Sequence, residues 1–216
     1  MPPAFGRRAN LITKLVIFGG LIGLAALYGV CNQIQRAPFS TGNHIALAQP
    51  VPFSHQVHVG GDGIDCRYCH QSVETSSSAG IPPTQTCMNC HTFIRTDSPN
   101  LEPVRQSWQT GQPLHWERVH DLGDYVFFNH SIHINKGVGC STCHGRVDQM
   151  PAVYAENQLR MEWCLECHRN PERYLRPREE VFNMQYQPPD DQITLGRRLV
   201  QEYQVQSLTS CSVCHR

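Results

Sequence analysis

The hydropathy pattern is most lopsided near the start of the chain. From Leu11 to Cys31 it reads LITKLVIFGGLIGLAALYGVC, and Lys14 is the one charge in that run. A helix of that length covers roughly 30 Å, the thickness of a bilayer's hydrocarbon layer. A transmembrane helix is therefore predicted over 11–31. Arg7, Arg8 and Lys14 stand at its start, which predicts a cytoplasmic N-terminus (1–10) and a chain that continues on the periplasmic face. The competing reading is a cleaved secretory signal, but the apolar stretch is longer than a signal core and no small-x-small site follows it. Gly19 and Gly23 form a Gly-x-x-x-Gly pair, with Gly29 further along, and small residues so spaced admit a second helix. Cys31 closes the span as a spare thiol, because Tyr28-Gly29-Val30 lacks the small residues expected before a lipid-modified cysteine.

After a linker (32–52) the pattern changes character. No segment sustains the alternation of a strand, and Ser76–Pro83 and Ser98–Pro103 read as loops. Asp190 and Asp191, behind Pro188-Pro189, offer a helix cap, and Leu195, Leu199 and Tyr203 then recur every four residues. The predicted fold is mainly α and irregular.

The cysteines explain that irregularity. Cys-x-x-Cys-His occurs five times, at Cys66–His70, Cys87–His91, Cys140–His144, Cys164–His168 and Cys211–His215, and consumes ten of the eleven cysteines. This is the attachment sequence of c-type haem: two thiols add to the porphyrin vinyl groups and the next residue, His, binds the iron. Zinc sites and redox dithiols use Cys-x-x-Cys but do not require His after every second Cys. Five covalently bound haem c groups are predicted, on Cys66, Cys69, Cys87, Cys90, Cys140, Cys143, Cys164, Cys167, Cys211 and Cys214. Such attachment belongs outside the cytoplasm. The outer domain, 53–216, has roughly 33 residues per haem, too few for a large side-chain core, so the porphyrins are expected to be the core. Eighteen basic and eighteen acidic residues cancel, which leaves no pull towards nucleic acid.

An internal repeat organises the domain. Phe53-Ser-His55-Gln-Val-His58 precedes Cys66, and Phe128-Asn-His130-Ser-Ile-His133 precedes Cys140. Two two-haem modules follow, about 53–91 and 128–168, with a connector (92–127) and an extension (169–216) that carries the fifth motif; the helix after Asp191 is expected to face that last haem. Five irons need five ligands beyond His70, His91, His144, His168 and His215. The doublets His55/His58 and His130/His133 supply four, since i, i+3 side chains share a helix face. The fifth is open between His120 and the thioethers of Met150 or Met161, and the choice bears on potential, which Met ligation raises. A Met against a porphyrin can equally be packing. His44 and His115 read as solvated. Arg67, Arg95, Arg146, Arg169 and Arg216 lie close enough to motifs to meet haem propionates.

The doublet resembles that of the small multihaem cytochromes c3 and c7. That resemblance implies His55 for the 66–70 haem and His130 for the 140–144 haem, with His58 and His133 reaching haems elsewhere and tying the modules together. The run Trp116-Glu-Arg-Val-His120-Asp-Leu-Gly-Asp-Tyr-Val-Phe-Phe-Asn-His130-Ser-Ile-His133, with Gly137-Val-Gly-Cys140 and Met161-Glu-Trp-Cys164, is similar to the pentahaem subunit of alternative complex III, with Gly123 where Pro is expected. This resemblance implies an electron-transfer subunit rather than an enzyme in its own right. It would work within a quinol:acceptor oxidoreductase, between quinol-oxidising iron–sulfur subunits and a cytochrome c or terminal oxidase. The competing functions are a self-contained quinol dehydrogenase of the NapC/NrfH kind and a multihaem oxyanion reductase with an open iron. The count itself is checkable: a pyridine haemochrome assay against protein concentration should give five haems per chain, and Cys214→Ser should lower it to four.

Overall fold

The computed structural model describes residue 6 and residues 8–215; Arg7, Arg216 and the first five residues of the predicted cytoplasmic segment lie outside the described residues. Two units result, 1–43 and 44–216.

The first unit is dominated by α1 (Ala9–Arg36). Its 28 residues give an axis of about 42 Å, and side chains from Leu11 to Val30 are all exposed. A helix apolar all round and uncovered suits lipid, and α1 is long and apolar enough to cross a membrane. A short turn, α2 (Pro38–Thr41), follows, stopped by Gly42 in the left-handed region at φ 73°.

The second unit is a series of short helices: α3 (Cys66–Cys69), α4 (Thr84–His91), α5 (Glu102–Thr110), α6 (His130–Asn135), α7 (Cys140–His144), α8 (Met161–Arg169), α9 (Gln192–Glu202) and α10 (Cys211–Cys214). A π-helical turn spans Gln56–Gly61. Among the described residues β pairing is limited to two isolated bridges, Val126 with His215 and Val138 with Leu175. The mainly α, irregular fold is thus observed, and its lack of a sheet follows from the lack of alternating apolar positions.

Side-chain burial is sparse. Three small clusters stand in for a core. Val51, Met88 and Val104 pack α4 against α5. Val73, Ile134 and Val181 join the first module to the second, with Ala79, Cys140 and Phe182 beside them. Leu175, Leu199 and Tyr203 seat α9, with Val138 and Leu195 at the margin. The predicted helix after Asp191 therefore exists, but its face packs on Leu175 and Val138 instead of turning to the last motif. The reason is local: Gln192 donates to the carbonyls of Glu172 (3.0 Å) and Leu175 (2.8 Å), pinning the first turn of α9.

Gly196 lets α9 lie directly on the Pro171–Arg173 turn, because a Cβ there would overlap the Glu172 carbonyl. Gly196→Ala should destabilise the chain by roughly 1–3 kcal/mol through overpacking, read as a lowered thermal unfolding midpoint in circular dichroism; an unchanged midpoint would contradict this packing.

Candidate haem-binding site

Each Cys-x-x-Cys-His motif lies on a helical turn. The His70 N–H donates to the Cys66 carbonyl at 2.8 Å, and His215 N–H to Cys211 at 2.9 Å. This i to i+4 closure puts both sulfurs on neighbouring positions with the imidazole just beyond. Asp65 caps the first such turn by accepting the Arg67 N–H at 2.8 Å. All eleven cysteines are free thiols; the ten in motifs stand where thioether sulfurs would be after haem attachment.

The doublets show the same side-chain array twice. Phe53 stacks on His58 (4.5 Å, 26°) and meets His55 edge-on (4.9 Å, 89°). Phe128 stacks on His133 (4.5 Å, 25°) and meets His130 edge-on (4.7 Å, 89°). The phenyl ring is a wedge that sets the two imidazoles apart. This holds even though the first doublet leads into a π-helical turn and the second begins α6.

Each second imidazole faces the second motif of its own module. His58 and His91 centroids are 6.1 Å apart, and His133 and His168 are 6.2 Å apart. The resemblance to c3 and c7 had implied that these two would reach between modules. The modules are instead joined by backbone contacts. His130 and Ser131 N–H groups donate to Ser77 and Ser76 carbonyls at 3.1 Å, and Gln56 N–H donates to Met150 at 3.1 Å. His130 faces His144 at 6.3 Å with planes only 8° apart. His55 is half-buried beside His70 and His58, and desolvation pushes its pKa down to about 4.

These separations can be tested against a shared metal. A metal–imidazole bond is about 2 Å and a ring nitrogen lies about 1.2 Å from its centroid, so two imidazoles facing each other across one metal put their centroids roughly 6.4 Å apart. The three observed pairs fit. Protonation fits as well, because a carbonyl can only accept. Nδ1–H donates to Ser54 from His58 (2.8 Å), to Gly80 from His70 (2.8 Å), to Ile94 from His91 (3.0 Å), to Ser77 from His130 (2.8 Å) and to Asn129 from His133 (2.7 Å). Each Nε2 is left with its lone pair free, the form in which imidazole binds a metal. Burial pushes the His144 pKa down to about 3 and lowers His133 and His120 too, so these rings are neutral. His55 is the exception to these Nδ1–H bonds, its Nδ1 buried and without a hydrogen-bond partner. The residues fit haem c.

The remaining candidates are less uniform. His120 Nε2 lies 3.3 Å from His144 Nδ1. Met150 is buried, and its carbonyl holds the first doublet's turn through Gln56, whereas Met161 is 65 % exposed. His215 lies against Tyr125, whose carbonyl accepts from Nδ1 at 3.3 Å. His44 stands 3.8 Å from Glu156, and His115 is exposed. Among the arginines, Arg67 and Arg146 are already paired with Asp65 and Asp148 at 2.8 and 2.6 Å. Arg176, not singled out by sequence because it lies outside the motif neighbourhoods, is the buried one. Its guanidinium reaches Ser141 Oγ (3.2 Å) and Thr142 Oγ1 (3.3 Å) within the 140–144 motif, with Nε unpartnered.

The motifs neighbour one another in an order unlike their order in sequence. Asn89 donates to Tyr68 Oη at 3.2 Å, linking 87–91 to 66–70. Cys66 and Cys140 lie close enough to shift each other, the pKa of Cys140 up and that of Cys66 down, so 66–70 adjoins 140–144. Burial, then Cys167 and Cys164, push Cys143 up to about 12, which puts 164–168 next. Ser207 donates to the His168 carbonyl at 2.8 Å, and Cys214 acts on Cys164, which brings up 211–215.

Fold and site together define a multihaem cytochrome c, an electron-transfer protein. The comparisons agree. The family of cytochrome c7 and related cytochrome c matches residues 126–216, and the class III cytochrome c family matches 31–113. The menaquinone reductase multihaem cytochrome c subunit of Nitratidesulfovibrio vulgaris (strain Hildenborough) is 33 % identical over 171 residues, covering 62 % of this chain and 81 % of that protein. The chain belongs to the same family of c3/c7-type multihaem cytochromes c as that subunit.

Proposed function

We propose that the chain is the pentahaem electron-relay subunit of a membrane quinol:acceptor oxidoreductase of the alternative complex III kind. The observation that carries this reading is the unbroken line of motifs, 87–91, 66–70, 140–144, 164–168 and 211–215. The ten motif cysteines would hold five haem c groups, which supply one-electron redox chemistry when bound. Proximal ligation falls to His70, His91, His144, His168 and His215. The facing rings favour His58 for 87–91, His130 for 140–144 and His133 for 164–168, and the nearness of His55 to His70 favours His55 for 66–70. At the four motifs with an assigned partner a second imidazole would exclude small substrates, which favours relay over an oxyanion reductase there. Arg176 is in reach of a propionate at the 140–144 motif. The motifs at 87–91 and 211–215 end the line, and Cys90 and Cys211 within them are exposed; these are the surfaces that partner subunits would meet. α1 would anchor the chain, with the haem domain periplasmic and Gly19 and Gly23 offering a close-approach face to partners' membrane helices.

A second reading has one observation of its own. The relative is named a menaquinone reductase subunit, so the line would deliver electrons towards quinone rather than collect them from quinol. Optical reduction by a short-chain quinol separates the possibilities. The isolated chain in mild detergent should stay oxidised while the native membrane assembly is reduced promptly; rapid reduction of the isolated chain would assign it a quinol site of its own, as in NapC/NrfH-type dehydrogenases. An assembly that oxidises its prereduced haems on adding quinone, but is not reduced by quinol, would reverse the direction.

The pairing has its own check. His58→Ala and His133→Ala should each convert one haem of five to a high-spin form, seen by electron paramagnetic resonance, with haem content retained. A fully low-spin spectrum in either variant would refute that pair.

A further inference from the structure

Of the imidazoles whose Nδ1 has a hydrogen-bond partner among the described residues, His144 alone is partnered by another imidazole; His58, His70, His91, His130, His133 and His215 use backbone carbonyls. The chain itself explains the exception. After His70 and His91 the following loop returns a carbonyl, from Gly80 and Ile94. After His144 the backbone turns off at once, with Gly145 at φ 67° and ψ −161°, a conformation open to glycine. A side chain from 24 residues upstream fills the place: His120 Nε2 sits 3.3 Å from His144 Nδ1, its ring at 79° to that of His144.

We propose that His120 is a positioning residue for the 140–144 haem rather than an iron ligand. For His144 to offer Nε2 to iron its proton must sit on Nδ1, where it donates to His120 Nε2. This contact holds the His144 ring nearly parallel to His130, 8° apart, while the rings at 87–91 and 164–168 cross at 68° and 74°. Ring orientation is electronic as well as steric. Two parallel imidazole planes add their π interaction in one direction and split the two iron d orbitals of π symmetry. Crossed planes act in both directions and leave those orbitals nearly degenerate. The ferric spectrum should accordingly be rhombic for the parallel pair and dominated by one large-g feature for the crossed pairs. An acceptor on Nδ1–H also makes the ligand more basic, which stabilises the ferric state.

This inference rests on the ligand pairing proposed above, and the experiment separates the two. Full-length, haem-loaded chain is examined by electron paramagnetic resonance and potentiometric titration as wild type, His130→Ala, His120→Leu and His120→Gln, with haem content measured for each. The rhombic low-spin signal that vanishes in His130→Ala belongs to the 140–144 haem; if none vanishes, the pairing itself is wrong. His120→Leu should broaden or shift that signal at full haem content. It should also favour reduction of that haem about tenfold at fixed potential, 59 mV for one electron. His120→Gln, whose amide oxygen can accept from Nδ1–H, should restore both. An unchanged rhombic signal and potential in His120→Leu would overturn the proposal, and so would a new high-spin signal, which would make His120 an iron ligand.

Discussion

The outer domain depends on imidazoles held about 6 Å apart with their protons turned away from each other. That arrangement is costly without something between the rings. Half-buried imidazoles facing across a gap make few van der Waals contacts, and each pair brings two lone pairs together. Backbone carbonyls fix the proton on Nδ1, Phe53 and Phe128 wedge the doublets open, and the second motif of each module closes the far side. A bound haem iron would turn this unfavourable array into a favourable one, and side-chain packing elsewhere among the described residues is limited to three clusters of three buried residues.

The same constraint shapes the chain between motifs. Loops return a carbonyl to most of these imidazoles, so turns such as Ser76–Pro83 serve the site rather than merely connect elements. Ser77 receives both the N–H and the Nδ1–H of His130, and in doing so joins the two modules. Repetition of a two-motif unit thus places the first motif of each repeat at the junction and the second motifs outward. The extension after residue 169 continues the line at one end, where α9 is clamped on the 171–175 turn and the chain returns past His168 to the last motif.

The comparisons divide the chain along the same line as the repeat. One family covers the first doublet and its two motifs, the other covers the second doublet and the three motifs after it. Each matched segment of this chain contains an i, i+3 doublet ahead of Cys-x-x-Cys-His, recoverable because each element is a short local string.

Local strings are what the sequence by itself determined. Haem attachment, the doublets, the membrane-length helix and the absence of a sheet each need only residues within a few positions of one another, so spacing alone reveals them. Tertiary structure decided which imidazole faces which, that the motifs run 87–91, 66–70, 140–144, 164–168, 211–215, and that Arg176 and His120 come to the 140–144 motif. Those outcomes depend on contacts between residues 14 to 90 positions apart. An i, i+3 doublet shows that two imidazoles share a face but not what packs against it. His120 is the plainest case: in sequence it is one more candidate ligand, and only folding puts its Nε2 against Nδ1 of His144, where the ring before Gly145 would otherwise lack an acceptor.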